Sequence, residues 1–136
     1  MHQTLELTEA EATARVIKAI EKPFTDIIGH PTGRLLLQRP GFPLDVDKIF
    51  DACIANNVAL EINANWMRLD LRDVHVRAAL DAGCFIAINC DTHDPSDMDN
   101  LRFGVLTGRR GGLTPASCVN TWTATKLAKW LGRRRT

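Results

Sequence analysis

The sequence predicts an α/β protein built from parallel β/α units, and three observations carry that prediction. Segments of helical and strand character alternate in the order helix, strand, helix, strand, helix, strand, helix, an order that implies parallel pairing through right-handed crossovers. The run from Cys84 to Ile88 follows a glycine and is short and apolar, as expected of a strand buried on both faces. Each strand-length run also ends in polar residues: His30 after Thr25–Gly29, Asn63 after Val58–Ile62, and Asp91, His93 and Asp94 after the Cys84 run. In parallel sheets and barrels ligands gather at the C-terminal ends of the strands.

Size and composition narrow the class. A chain of 136 residues is one domain's worth, and 45% hydrophobic with 24% charged residues is ordinary for a globular protein. A formal net charge of +1 gives no global attraction to nucleic acid, so any such contact must come from a local patch. The four cysteines, Cys53, Cys84, Cys90 and Cys118, form no Cys-x-x-Cys pair and read as buried thiols in a reducing compartment. With no membrane-length apolar run and no signal-peptide pattern, a cytoplasmic location is expected. No internal repeat, low-complexity tract or linker divides the chain.

Taken in order, Thr8 and Glu11 fit a capping box. Thr13, Val16, Ile17 and Ile20 then form one stripe of a helix that Pro23 stops. Thr25–Gly29 is a short strand, Pro31–Arg34 a loop by composition, and Leu35–Pro43 an irregular excursion. A helix starts near Asp45, carries Val46, Ile49, Phe50 and Cys53 on one face, and can end at Asn56 or Asn57. After the strand ending at Asn63, Asp70 is expected to cap a helix bearing Val74, Ala78 and Ala79, with Gly83 closing it. A helix is expected over about Met98 to Leu106, then a turn at Arg109–Gly112 with local positive charge. Thr114 and Pro115 are expected to open the next helical stretch. The final helix places Leu127, Trp130 and Leu131 on a shared side.

The candidate chemistry lies at the strand ends. Asp91 and His93 have period-2 spacing, so an extended backbone would point both to one side, and a carboxylate beside an imidazole suits a divalent ion such as Zn²⁺ or Mn²⁺. The plainer alternative makes Asp91 a turn cap and His93 a surface residue. His2, ahead of the first helix, and His30 would complete a mixed nitrogen and oxygen set typical of hydrolytic metal centres, able to bind phosphate oxygens and acidify a bound water. Arg34, on a glycine-containing loop, could hold a phosphate in bidentate fashion or form a surface salt bridge. Asn63 and Arg68 sit at and just beyond a strand end as candidate substrate contacts. His75 lies on a predicted helix and reads as structural or exposed.

Several separated motifs, in order, carry a resemblance. The run His30-Pro31-Thr32-Gly33-Arg34-Leu35-Leu36, the stretch Leu60-Glu61-Ile62-Asn63-Ala64-Asn65 with Arg68-Leu69-Asp70-Leu71, and Ala87-Ile88-Asn89-Cys90-Asp91-Thr92-His93 closely resemble the C-terminal part of a PHP (polymerase and histidinol phosphatase) domain. The form it resembles most is that at the C-terminus of bacterial family X DNA polymerases. Arg102–Val105, Arg109–Gly111 and Val119–Thr121 fit that form too.

The resemblance implies that the parallel β/α units form the C-terminal half of a distorted barrel of about seven strands. It further implies a cluster of up to three ions (Mn, Zn or Fe) with His2, His30, Asp91 and His93 as ligands, Asp91 and His93 at the catalytic centre, and Arg34, Asn63 and Arg68 toward substrate. The chemistry implied is phosphoester hydrolysis, in the polymerase-linked form a 3′–5′ exonuclease with related processing of DNA ends.

The sequence departs from the family in lacking the His-x-His pair and the further Asp, His and Glu of the domain's first half, and the polymerase domain. The expectation is therefore a partial PHP domain over residues 1–136, weakly active or inactive alone. Its expected partners are DNA in the full-length protein and, for the chain itself, the missing half or a second copy, since half a barrel would leave a strand edge and an apolar interior face open. Cys90 stands where the family more often has proline or a small residue, and reads as core. The alternatives are a non-catalytic module that binds metal or DNA or serves assembly, and a small-molecule phosphatase of the histidinol phosphate type.

Overall fold

The computed structural model describes residues 7–132, and His2 lies outside them. Thr8 caps the first helix, α1 (Glu9–Ile20), through a complete capping box. Its hydroxyl accepts the Glu11 N–H at 3.3 Å, and the Glu11 carboxylate accepts the Thr8 N–H at 2.9 Å. Ala12, Thr13, Val16 and Ile20 form the buried side, with Ile17 half-buried at its margin. The Thr13 hydroxyl accepts the Asp45 N–H at 2.9 Å and so ties α1 to the start of α2 (Val46–Asn56). Asp45 is the N-cap of α2 and Asn57 ends it in the left-handed conformation, φ 55°, which asparagine tolerates.

Three parallel strands, β1 (Ile27–Ile28), β2 (Ala59–Asn63) and β3 (Ile86–Asn89), lie in that order in one sheet. The α/β reading and the parallel pairing hold, with three strands among the described residues. The register pairs Leu60 with Ile86, Glu61 with Ala87 and Asn63 with Asn89. The two-residue period of a strand then sorts the side chains. Leu60, Ile62 and Ile86 enter the main core with Val16, Ile20, Ile49, Phe50, Cys53, Val76 and Ala79. Ala59 and Ala87 face the other way, against Val119 and Trp130. All four cysteines are free and buried.

The second face is covered by the C-terminal segment. Helix α5 (Ala124–Gly132) brings Trp130, Leu127 and Leu131 beneath it. Trp122 stands edge-on to both Phe85 and Trp130, at 4.8 and 5.8 Å between ring centres. The same segment occupies the outer edge of β3. Cys118 bridges Ile86 in parallel, and the Asn120 amide accepts the Ile88 N–H at 2.8 Å while donating to the Ile88 carbonyl at 2.9 Å. One side-chain amide thus imitates a neighbouring strand. On this side the β3 edge and the Ala59–Ala87 face are covered, because a segment short in regular structure still carries the donors, acceptors and indole rings to cover both, while β1, at the other edge, pairs with β2.

Three local expectations are corrected. Asp70 does not cap the third helix, α3 (Asp73–Ala82), whose N-cap is Arg72. Asp70 is fully buried, and its carboxylate accepts the N–H groups of Thr32 (3.0 Å) and Gly33 (2.8 Å), fastening the loop after β1 to the loop after β2. Gly83 does close α3, at φ 103°. The helix expected to end near Leu106 runs on as α4 (Leu101–Gly111), preceded by a 3-10 turn over Pro95–Asn100. Arg109 and Arg110 therefore lie in a last helical turn, where cations oppose the helix dipole. The buried residues of α4 are Gly104, Gly108 and Gly111, while Val105 and Leu106 are exposed, so this helix packs through its glycines. Finally, Thr114 and Pro115 open only a 3-10 turn, Pro115–Ser117.

Two measurements test this packing. A Cβ on Gly104 would stand 2.6 Å from Ile88 Cγ2 and 2.7 Å from the Ala64 Cβ. Gly104→Val should therefore lower the stability measured by urea unfolding by about 1–3 kcal/mol, as overpacking does. Burial raises the Asp70 pKa above its ordinary 3.8, against the opposing hydrogen bonds from Thr32 and Gly33. A raised folded-state value favours the protonated native form, so this contribution is present at low pH and lost as pH rises through that value. The stability of the wild type should accordingly fall relative to Asp70→Asn as pH rises above about 4, a difference absent if the carboxyl titrates alike in both states.

Candidate functional site

The face of the sheet that carries Ala59 and Ala87 at its base turns polar toward the strand tips. Glu61 and Asn63 on β2 and Asn89 on β3 follow the same two-residue period. Glu61 is 7% exposed, and a buried carboxylate is expensive unless hydrogen-bonded. It accepts the His30 N–H at 2.6 Å with one oxygen and the Asn89 amide at 2.8 Å with the other. The carboxylate therefore joins the tips of all three strands. It also holds the backbone at His30, where φ is 31°, a region uncommon for any residue with a side chain.

Beside it lies a second cluster. The Asn63 amide nitrogen donates to Asp91 Oδ2 at 3.3 Å, and its oxygen accepts the Asn65 N–H at 3.1 Å. Asn65 in turn accepts the Met67 N–H at 3.0 Å and shapes the turn that delivers Arg68. Arg68 Nε lies 3.7 Å from Asp91 Oδ2, and its Nη1 is buried with no hydrogen-bond partner. Asn63, Arg68 and Asp91 are thus brought together, as expected of residues at neighbouring strand ends.

The geometry linking Asp91 to His93 is corrected. Asp91 is left-handed, φ 53°, so the two side chains do not alternate along an extended strand. His93 Nδ1 instead meets the Asp91 carbonyl oxygen at 2.7 Å, and the His93 N–H donates to Asp97. A carbonyl only accepts, so the ring donates from Nδ1, which leaves Nε2 as the unprotonated nitrogen of the neutral imidazole. That arrangement is the one by which histidines are oriented for ligation or proton transfer. His93 is exposed, and His30 is half-buried.

Arg34 stands apart from the other candidates. Its Nε donates to the Arg68 carbonyl at 2.8 Å and its Nη2 to the Leu69 carbonyl. Both acceptors are main-chain oxygens, and Arg34 helps shape the loop that carries Arg68. Cys90 is buried, with its sulfur against Thr92 and Met98, in keeping with a core role.

Among the described residues, no group of three or more His, Cys, Asp or Glu side chains is placed to hold a metal ion. His30, Asp91 and His93 do not by themselves form a common cation site, and His2 lies outside the described residues. Asp91 Oδ2 is directed at the Asn63 amide and the Arg68 guanidinium. The described residues alone do not fit the group.

Glu61 and Asn89 are the site residues that sequence reasoning passed over. Their signal was present: a glutamate in mid-strand, in step with Asn63 and across from a strand ending in Asn89. Glu61→Ala would leave the His30 N–H and the Asn89 amide without their acceptor. It should cost about 2–4 kcal/mol in urea unfolding. Glu61→Gln sets its amide donors against those of Asn89, and the double variant with Asn89→Asp restores a donor–acceptor pair. Recovery in the double variant is the expected result, and additive losses would refute the bridge.

No family model matches the chain. It is 36% identical over 133 residues to the DNA polymerase/3'-5' exonuclease PolX of Bacillus subtilis (strain 168), a match covering 98% of this chain and 23% of that protein. A protein of Thermoanaerobacter sp. (strain X514) named as a probable phosphatase is 26% identical over 115 residues, covering 80% of this chain and 44% of the relative. Another so named, from Tolumonas auensis, is 33% identical over 96 residues, covering 65% of this chain and 36% of the relative. The chain thus spans less than half the length of each of these relatives. With the motifs at His30, Asn63 and Asp91 in order and a parallel β/α sheet beneath them, the chain belongs to the PHP family, as a C-terminal portion of the kind of domain found in bacterial family X DNA polymerases.

Proposed function

We propose that this chain is part of a metal-dependent phosphoesterase that acts on DNA, trimming strands from the 3′ end or processing blocked ends. The observation that supports this reading is the strand-tip cluster. Asn63 and Arg68 fix the Asp91 carboxylate, and the Asp91 carbonyl orients His93 with Nε2 free. Its place in a chain similar to a named polymerase and exonuclease supports DNA as the substrate.

In this reading the unpartnered Nη1 of Arg68 meets a phosphate oxygen, since a guanidinium supplies donors in a planar fork. His93 presents its free Nε2 to the site, and Glu61 keeps His30 in place through its backbone. Asn63 contributes by holding Asp91, and Arg34 by shaping the Arg68 loop. A divalent ion (Mn, Zn or Fe) is part of the proposal, and when bound it would polarise the phosphoester. Its candidate ligands are His2, His30, Asp91 and His93. Because the three described ones do not converge, the set needs His2 or ligands from a further segment or a second copy, and activity of the chain alone should be weak. No helix among the described residues is long and apolar enough to cross a membrane.

A second reading, hydrolysis of small phosphate esters, is favoured by one observation: the relatives named as probable phosphatases are matched over a larger share of their length than PolX is. A 3′-labelled single strand and p-nitrophenyl phosphate, each with Mn²⁺, separate the two. Trimming of the labelled strand, reduced about a hundredfold or more by Asp91→Ala, is expected. Turnover of the small ester alone would favour the second reading. Binding of Mn²⁺ or DNA without turnover of either substrate would leave a non-catalytic module.

A further inference from the structure

Four large apolar side chains stand exposed on two neighbouring loops just beyond the tip of β2. Trp66 and Met67 lie on the turn that follows Asn65, and Leu36 and Leu37 on the strap that follows Arg34. The Leu36 N–H donates to the Met67 carbonyl at 2.7 Å and joins the two loops. Trp122 and Trp130 are packed beneath the sheet, whereas Trp66 belongs to neither core cluster and is 60% exposed. Exposed apolar side chains grouped in this way mark an interaction site more often than single ones do.

The turn that carries the indole is well fastened. The Asn65 carbonyl accepts the N–H groups of Arg68 at 2.8 Å and Leu69 at 3.0 Å, and the Asn65 side chain accepts the Met67 N–H. Arg34 holds the Arg68 and Leu69 carbonyls from the other side. An indole left in water forgoes its hydrophobic gain, but one presented in a fixed place lowers the entropy cost of meeting a ligand.

Position and charge identify that ligand. Arg68 follows Trp66 by two residues in the same turn and lies against the Asp91 carboxylate of the strand-tip cluster. Residues 27–44 and 62–69, which build the patch and its surroundings, carry Arg34, Arg39 and Arg68 and no Asp or Glu. The flanking carboxylates Glu61 and Asp70 are buried with their oxygens on N–H donors. Arg34 and Arg39 donate to carbonyl oxygens, which fixes their charges without neutralising them. A group that covers this patch is therefore flat and apolar where it meets the indole and anionic where it meets the guanidiniums. A nucleotide within a strand is both.

We infer that Trp66 is a stacking platform for a nucleobase of single-stranded DNA, with the phosphate next to that base at Arg68 and with Leu36 and Met67 beside the ring. The inference rests on the reading of the strand tips as a DNA-processing site and adds how the strand is held there. A small phosphate ester without an aromatic ring has nothing to place on the indole, so the platform favours a strand. Every base has a π-face, so the contact tolerates any sequence.

Binding is measured on the whole chain without added divalent ion, so that it is read apart from cleavage. The probe is a fluorescein-labelled oligothymidylate without terminal phosphates, followed by anisotropy. An abasic oligomer of the same length, which keeps the phosphates and lacks the bases, serves as competitor. The thymidylate should bind about tenfold more tightly than the abasic strand. Trp66→Ala should erase that difference and Trp66→Phe should keep most of it. Unlabelled thymidylate should quench tryptophan emission saturably in the wild type and not in Trp66→Ala, a signature that a merely structural role would not give. Equal affinity for the two oligomers, no saturable binding, or an unchanged affinity in Trp66→Ala would overturn the platform. So would self-association of the chain that depends on Trp66 in place of DNA binding. The two readings fail separately: base binding through Trp66 with no trimming under Mn²⁺ keeps the platform and removes the exonuclease, whereas trimming unaffected by Trp66→Ala keeps the exonuclease and removes the platform.

Discussion

The Glu61 carboxylate is the point on which the strand-tip geometry depends. A charge this well buried survives only with its oxygens occupied, and the two donors that occupy them come from different strands, the His30 main chain and the Asn89 side chain. One desolvated group therefore fixes the tips of β1 and β3 relative to β2, and with them the positions from which His30, Asn63 and Asp91 project.

A second buried carboxylate does related work further out. Asp70 pins the loop after β1 to the loop after β2 through the Thr32 and Gly33 amides. Arg34 closes the same junction from the other side through the Arg68 and Leu69 carbonyls. The His-Pro-Thr-Gly-Arg run is thus a fastening as much as a binding loop: its amides and its arginine hold the turn that presents Arg68 to Asp91.

The C-terminal segment gives the sheet its second layer. Trp130 and Val119 cover Ala59 and Ala87, small residues that let the helix approach closely. Asn120 completes the hydrogen bonds of the β3 edge. A chain with three described strands is thereby closed on this side by one amide and two indole rings instead of by another strand, which answers the edge-strand liability locally.

The sequence by itself determined the alternation of helices and strands, the capping box at Thr8, the stops at Asn57 and Gly83, the parallel order of the sheet and the family, because these depend on local periodicity, on backbone preferences of single residues and on motif order. It also placed Asn63, Arg68 and Asp91 at neighbouring strand ends. Tertiary structure alone decided what lies between them. The left-handed turn at Asp91, the carbonyl partners of Arg34, the burial of Asp70 and the face of α4 that packs through glycines each depend on a contact distant in sequence, with no periodic trace at the residue itself. Glu61 lies between the two cases: its type and position were visible, but its meaning came from the register that sets it between β1 and β3, since a buried charge is explained only by the donors that surround it.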